Sequence, residues 1–229
     1  MTQRWKDFFD SYGAFEPRWL SAAVAHWGFH EVLYGTIAKY VKAPGKILDV
    51  GSGPGWSAFY LSSLGYRVTG IDNEPSLVDL ARMQSQRLNT GAEFLCEDAF
   101  DLRSLHGQFD LAFSCGVLEH FDREVTVQLL REQAKCARYV VIQIPTRFSA
   151  YAAPLTDERM YTARAPAGRV GDAGMRVVEK FGYGDVTATT SQIWMRRVLP
   201  RMVYRELQNR GFGYAMAVVG TSSTWAERP

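Results

Sequence analysis

Cysteine is scarce: three residues in 229, at positions 96, 115 and 136, with no CxxC pair among them. An odd number of thiols, on or beside expected strands, excludes a disulfide framework and reads as reduced cysteine in a cytoplasmic protein. Net charge is nearly absent too. Twenty-six basic side chains face 24 acidic ones, which leaves +2. That is too little to argue for nucleic acid or an anionic membrane as a partner. No run approaches the roughly 18 apolar residues that span a bilayer. The N-terminus lacks the charged–apolar–small order of a signal peptide. Internal repeats and low-complexity segments are missing. Histidine numbers four, and only His26 and His30 have ligand-like spacing. Their i, i+4 separation suits two ligands on one helix face, or two histidines packed in or lining a pocket. A third ligand has no signature, so no metal is expected.

What is present is a core. Hydrophobic residues make up 47% of the chain, enough for one large core and a single domain over residues 1–229. The most informative stretch is Lys46-Ile-Leu-Asp-Val-Gly-Ser-Gly-Pro-Gly-Trp56. It reads as a short buried strand, an acid at its end (Asp49), a glycine turn and a helix from about Trp56 to Leu64. Glycines at 51, 53 and 55 let the backbone turn sharply and approach a ligand closely. The unit places that ligand at a helix N-terminus, where amide donors are unpaired. The dinucleotide fingerprint G-x-G-x-x-G is not met. The third glycine comes one residue early, at Gly55, and Trp56 holds its place, which disfavours a pyrophosphate cradle.

Four more strand patterns follow. Arg67–Asp72 ends in an acid about 20 residues after the glycine turn, where it can accept from both ribose hydroxyls. Ala92–Ala99 reads as a third strand, again ending in an acid, Asp98. Gln108–Ser114 runs into Cys-Gly-Val-Leu-Glu-His120, and Arg138–Ile144 stops at Pro145. Helical segments at 56–64, 75–88 and 122–135, with a short element near 101–106, alternate with the strands. Such alternation implies a parallel sheet with right-handed crossovers. The run D-x-G-x-G-x-G at 49–55, with strand-end acids at 49, 72 and 98, resembles the class I S-adenosylmethionine (SAM)-dependent methyltransferases. The segment Val117-Leu-Glu-His120 resembles their small-molecule branch, often called methyltransferase type 11. The likeness is strong over about residues 44–145 and weak on the flanks.

The resemblance implies a Rossmann-like α/β fold: a seven-stranded, mostly parallel sheet with helices on both faces. It implies a core over 44–145 between an N-terminal helical lid (1–43) and an acceptor-pocket region with a C-terminal hairpin (146–229). It implies SAM as cofactor and S-adenosylhomocysteine as product. Asp49 would orient the methionine ammonium, beside Gly51, Ser52, Gly53 and Gly55. Asp72 would take the ribose hydroxyls, with Asn73 next to it. Asp98 would accept from the adenine amino group near Ala99, and Ser114 and Gly116 would lie beside the sulfonium. Glu119 and His120 follow the fourth strand. A histidine there can take a proton near neutral pH, or pack under the lid while Glu119 caps or orients. The chain lacks the N/D-P-P-Y motif of amino-group methylation and the acid cluster of metal-dependent catechol enzymes.

Residues 1–40 have no strand pattern. Trp5, Phe8, Phe9 and Tyr12 recur at helical spacing until Gly13 and Pro17. A second helical stretch runs from about Arg18 to Tyr40, with Gly28 as its weak point. After Pro145 come a loop, a broken helix over 159–173, a sixth strand near 174–181 and a last strand near 211–220. The long link between those strands (about 182–211) carries helices and five arginines at 196, 197, 201, 205 and 210. These form either a solvated face or a site for an anionic group on the substrate. Tyr12, Trp19, His26, Tyr151 and Tyr161 are candidate substrate contacts. The expected activity is O-, N- or C-methylation of a small molecule, with no nucleic acid or membrane partner, as monomer or homodimer. A non-catalytic SAM-fold binding protein, or a methyltransferase acting on RNA or protein, is the alternative.

Overall fold

The computed structural model describes residues 2–149, 159, 162, 164–185, 190–222 and 225. Tyr151 and Tyr161 lie outside the described residues. In chain order the elements are α1 (Thr2–Ser11), α2 (Trp19–Phe29), α3 (Glu31–Tyr40), β1 (Lys46–Val50), α4 (Trp56–Ser63), β2 (Arg67–Asp72), α5 (Pro75–Leu88), β3 (Glu93–Cys96) and β4 (Phe109–Cys115). These are followed by α6 (Arg123–Cys136), β5 (Ala137–Pro145), α7 (Ala165–Asp172), β6 (Met175–Tyr183), α8 (Thr190–Val198), α9 (Arg201–Leu207) and β7 (Ala215–Ser222). The seven strands form one sheet in the order β3-β2-β1-β4-β5-β7-β6. β1 pairs in parallel with β2 and with β4, and β2 with β3. β6 and β7 pair antiparallel. This is the Rossmann-like, mostly parallel sheet that the resemblance implies, with the antiparallel hairpin at one edge.

The chain packs as two compact units. The first comprises residues 1–114 and 132–139. Its strands are apolar on both faces, as parallel strands under helices must be. Leu48, Val50, Ile71, Leu102, Phe109, Ala112, Cys136 and Ala137 form a contiguous buried cluster. α5 begins where Glu74 accepts from the Ser76 amide and hydroxyl, with Pro75 in the first turn, and it ends at Asn89 in the left-handed region (φ 51°). The N-terminal stretch from 18 to 40 breaks at His30, not at Gly28. Gly28 sits on an exposed helix surface with open space around it, so its small size is tolerated there. His30 joins α2 to α3 at φ −94°, ψ 11°, with its ring 4.4 Å from that of His26. α1 is followed by a turn whose Ala14 carbonyl accepts from the buried Gln84 side chain of α5 at 3.1 Å.

The second unit comprises residues 115–131 and 140–229. Its frame is the β6–β7 hairpin, registered from Met175↔Ser222 to Tyr183↔Ala215 with an irregularity between Val177 and Glu179. Arg123 at the start of α6 reaches Asp172 at the end of α7 at 2.6 Å. β7 begins at Ala215, later than the pattern suggests, because residues 208–212 complete a π-helical turn with Gly211 at φ 91°. The β6–β7 link therefore holds α8, α9 and this turn. It is tied down by Tyr204, whose hydroxyl donates to Asp185 at 2.9 Å, and by Gln208, which donates to the Gly184 carbonyl.

Candidate functional site

The end of β1, the glycine turn and the first turn of α4 form a cradle within the first unit. Gly51, Gly53 and Gly55 all adopt positive φ, at 74°, 52° and 82°, a region open to glycine and costly for other residues. Gly51 and Ser52 both donate their amides to the Ile71 carbonyl at 2.9 Å, which pins the turn to β2. The ring of Phe94 lies under Gly55 and Gly70 and leaves no room for a side chain at either.

Three polar atoms of this cradle are buried and find no partner among the described residues: Asp49 Oδ2, Ser52 Oγ and Trp56 Nε1. Native structures rarely leave such atoms unpaired unless a ligand or ordered water completes them. The set has a specific chemistry. A carboxylate oxygen calls for a cation, while a hydroxyl and an indole N–H can both donate to an anion. Burial pushes the Asp49 carboxyl well above the usual range, and the neighbouring Asp72 carboxylate raises it further. Asp72 is raised as well, chiefly by burial, against which the amides of Glu74 and Gly53 act. Gly53 donates to Asp72 Oδ2 at 2.9 Å and Glu74 to Oδ1 at 3.0 Å. Each carboxylate oxygen keeps a further lone pair for a hydroxyl. Asn73 is exposed beside it.

The remaining candidates are distributed as follows. Asp98, exposed beyond β3, accepts from the Phe100 amide at 3.0 Å, and Ala99 packs against the central cluster. Ser114 is buried and receives the Gln133 side chain at 3.3 Å. In the second unit, Gly116 has φ 73°, and a short 3-10 turn carries Glu119 and His120. Glu119 is buried and its carbonyl accepts from the Arg159 amide at 2.9 Å, while His120 is half-buried. Among the described residues, no group of three or more His, Cys, Asp or Glu could hold a metal. No described helix is long and apolar enough to cross a membrane.

The N-terminal aromatics divide. Phe9 sits on the glycine turn: a methyl built on Gly53 would lie 2.8 Å from Phe9 Cζ. Its ring also meets that of Trp56 edge-on at 5.9 Å. Tyr12, by contrast, is exposed, and Trp19 packs edge-on against Phe59. His26 accepts or donates at Ser57 Oγ (3.0 Å), which Tyr34 also reaches (2.9 Å), and Trp27 donates to the Trp56 carbonyl. Burial lowers the His26 pKa to about 4 and holds His30 well below the ordinary value, where His26 adds to the effect. Both are neutral imidazoles at pH 7. Sequence reasoning missed Phe9, Trp56 and Ser57 as neighbours of the turn. For Trp56 and Ser57 the signal was present, since both open the helix that follows the glycines.

The family model for a methyltransferase domain matches residues 47–139. A Xanthomonas campestris protein named ubiquinone biosynthesis O-methyltransferase is 32% identical over 116 residues, 48% of this chain and 48% of that one. The chain thus matches about half the length of such curated relatives. Magnesium protoporphyrin IX methyltransferase of Synechocystis PCC 6803, solved with bound S-adenosylhomocysteine, superposes with a TM-score of 0.65 at 17% identity, over 87% of this chain and 84% of that one. A SAM-dependent methyltransferase of Methanosarcina mazei gives 0.61 at 18% identity, over 82% and 96%. At these identities the two solved structures speak for the fold, and the sequence match from β1 to β5 speaks for the lineage. Over residues 47–139 the chain is thus similar to a methyltransferase domain, and its fold is that of SAM-dependent methyltransferases of known structure.

Proposed function

We propose that the protein binds SAM in the β1–α4 cradle and transfers its methyl group to a small-molecule acceptor. The observation that carries this reading is the trio of unpartnered buried atoms at Asp49, Ser52 and Trp56. The methionine end of SAM is a zwitterion. Asp49 takes its ammonium, and Ser52 Oγ and Trp56 Nε1 donate to its carboxylate. Asp72 accepts the ribose hydroxyls on the lone pairs its two amide bonds leave over, and Asp98 accepts from the adenine amino group beside Ala99.

SAM supplies a methyl already activated on a sulfonium, so the protein has only to align donor and acceptor and manage one proton. Alignment alone can lower a barrier by about 7–11 kcal/mol at the limit. Ser114, held by Gln133, and Gly116 are the residues that the resemblance assigns to the sulfonium. His120 is the base that takes the acceptor's proton, and Glu119 orients it. The names of the curated relatives favour a hydroxyl as the acceptor group. α1 acts as a lid, and Phe9 withdraws from Gly53 as the donor enters.

The test is turnover with methyl-labelled SAM against a panel of hydroxylated aromatic and isoprenoid-substituted compounds, reading both labelled product and S-adenosylhomocysteine. Formation of the two in equal amounts supports the reading. SAM binding without transfer to any member would favour the non-catalytic alternative. Transfer to RNA or protein alone would reassign the acceptor.

A further inference from the structure

Charge that cancels over the whole chain does not cancel locally. Between residues 190 and 210 there are five arginines and a single acid, Glu206. Arg210 pairs with Glu206, and Arg196 with Asp185. Arg197, Arg201 and Arg205 have no carboxylate partner among the described residues, and all three are exposed.

The same two helices expose apolar side chains to an unusual degree. Every position of α8 from Ile193 to Val198 is exposed. Trp194 is 65% and Val198 63% exposed, and Met202, in the first turn of α9, is 86% exposed. A helix that docks on its own domain buries an apolar stripe. This one carries apolar residues and buries none of its described ones. Contiguous exposed apolar surface edged by polar groups marks an interaction site.

We propose that the α8–α9 segment docks the protein on an anionic lipid surface. Indole and aliphatic side chains enter the boundary between headgroup and acyl chain, while arginines meet lipid phosphates: the combination that defines interfacial helices. The partner-free arginines provide the charge complementarity. A nucleic acid would use the same arginines but has no use for an exposed Met202 or Val198. The contact is peripheral, and it departs from the expectation that the small net charge of the chain excludes a membrane. It stands independently of the cradle.

The experiment is co-sedimentation of the full chain with vesicles of phosphatidylcholine alone and of phosphatidylcholine mixed with phosphatidylglycerol. Binding to the mixed vesicles only, weakened by salt, is the expected result. An arginine near an anionic surface contributes about fivefold in partitioning, so Arg197→Glu/Arg201→Glu/Arg205→Glu should lower it by at least about 100-fold. Trp194→Ser/Met202→Ser should lower it by roughly tenfold or more with all arginines intact. Circular dichroism should show both variants folded. Equal binding to the two vesicle types, or mixed-vesicle binding unchanged by either variant, overturns the proposal. So does retention on immobilised polyglutamate without vesicle binding, which assigns the surface to an acidic protein instead.

Discussion

Replacing Asp49 with Asn should stabilise the unliganded protein and weaken its grip on SAM. Asp49 is 3% exposed, its Oδ2 has no partner among the described residues, and burial together with Asp72 opposes its ionisation. Asparagine keeps the shape and removes the charge. An unsatisfied buried polar group costs about 1–3 kcal/mol, and more when charged. The variant should therefore gain at least about 1 kcal/mol at pH 7, which for a chain of this size raises Tm by about 2–4 °C. SAM loses a charge-assisted bond to its ammonium, worth about 1.5–3 kcal/mol, or roughly 10- to 150-fold in Kd. The pH dependence supplies a control. The raised pKa means that the folded wild type takes up a proton on Asp49 before the unfolded chain does as pH falls. The stability advantage of Asn should shrink towards acid and grow as pH rises. Urea melts across pH, with calorimetry against S-adenosylhomocysteine, read both effects. An Asn variant that is less stable at pH 7 and binds as tightly as wild type would refute the assignment of Asp49 as an uncompensated charge awaiting a cation.

Gly53→Ala should lose about 1–2 kcal/mol from left-handed backbone alone, and more from pressing on Phe9. Adding Phe9→Ala should relieve only the second part, so a double-mutant cycle in urea reads the contact, and additive losses would show that Phe9 does not touch the turn. Burial holds His26 near pKa 4 against 6.5 for the ordinary imidazole. The unfolded chain therefore protonates first: stability is intact above about pH 6.5 and falls between 6.5 and 4, by on the order of 3 kcal/mol for His26. Acid titration of His26→Gln should show a shallower decline in that window, and an identical profile would contradict it. His120→Ala should leave SAM affinity unchanged and lower the methyl-transfer rate by about 10²–10⁴; a variant retaining more than about half the rate would remove His120 from the chemistry.

The sheet was legible because its parallel strands are covered on both faces. Ile47, Leu48 and Val50, or Val140, Val141 and Ile142, stand as apolar runs between glycine and proline punctuation. The cradle was legible because three left-handed positions in five residues require glycine. What escaped the sequence depends on long-range packing. Gly28 looked like the weak point of the N-terminal helices, yet the break falls at His30, where the chain turns and the imidazole lies against His26. The aromatic stripe of α1 announced an amphipathic helix but not that Phe9, rather than Tyr12, meets the glycine turn. Ser57 gave no hint that it would gather His26 and Tyr34. The pairings of Phe9 and of Ser57 join residues 23 to 44 positions apart, and no periodicity records them.

Isothermal calorimetry of the wild-type chain with SAM, S-adenosylhomocysteine and NADH tests the central claim most directly. A cradle built around Asp49, Ser52 and Trp56 for a methionine zwitterion should bind SAM and S-adenosylhomocysteine with one-to-one stoichiometry and leave NADH unbound. Binding of NADH without either sulfur ligand, or of none of the three, would contradict the account.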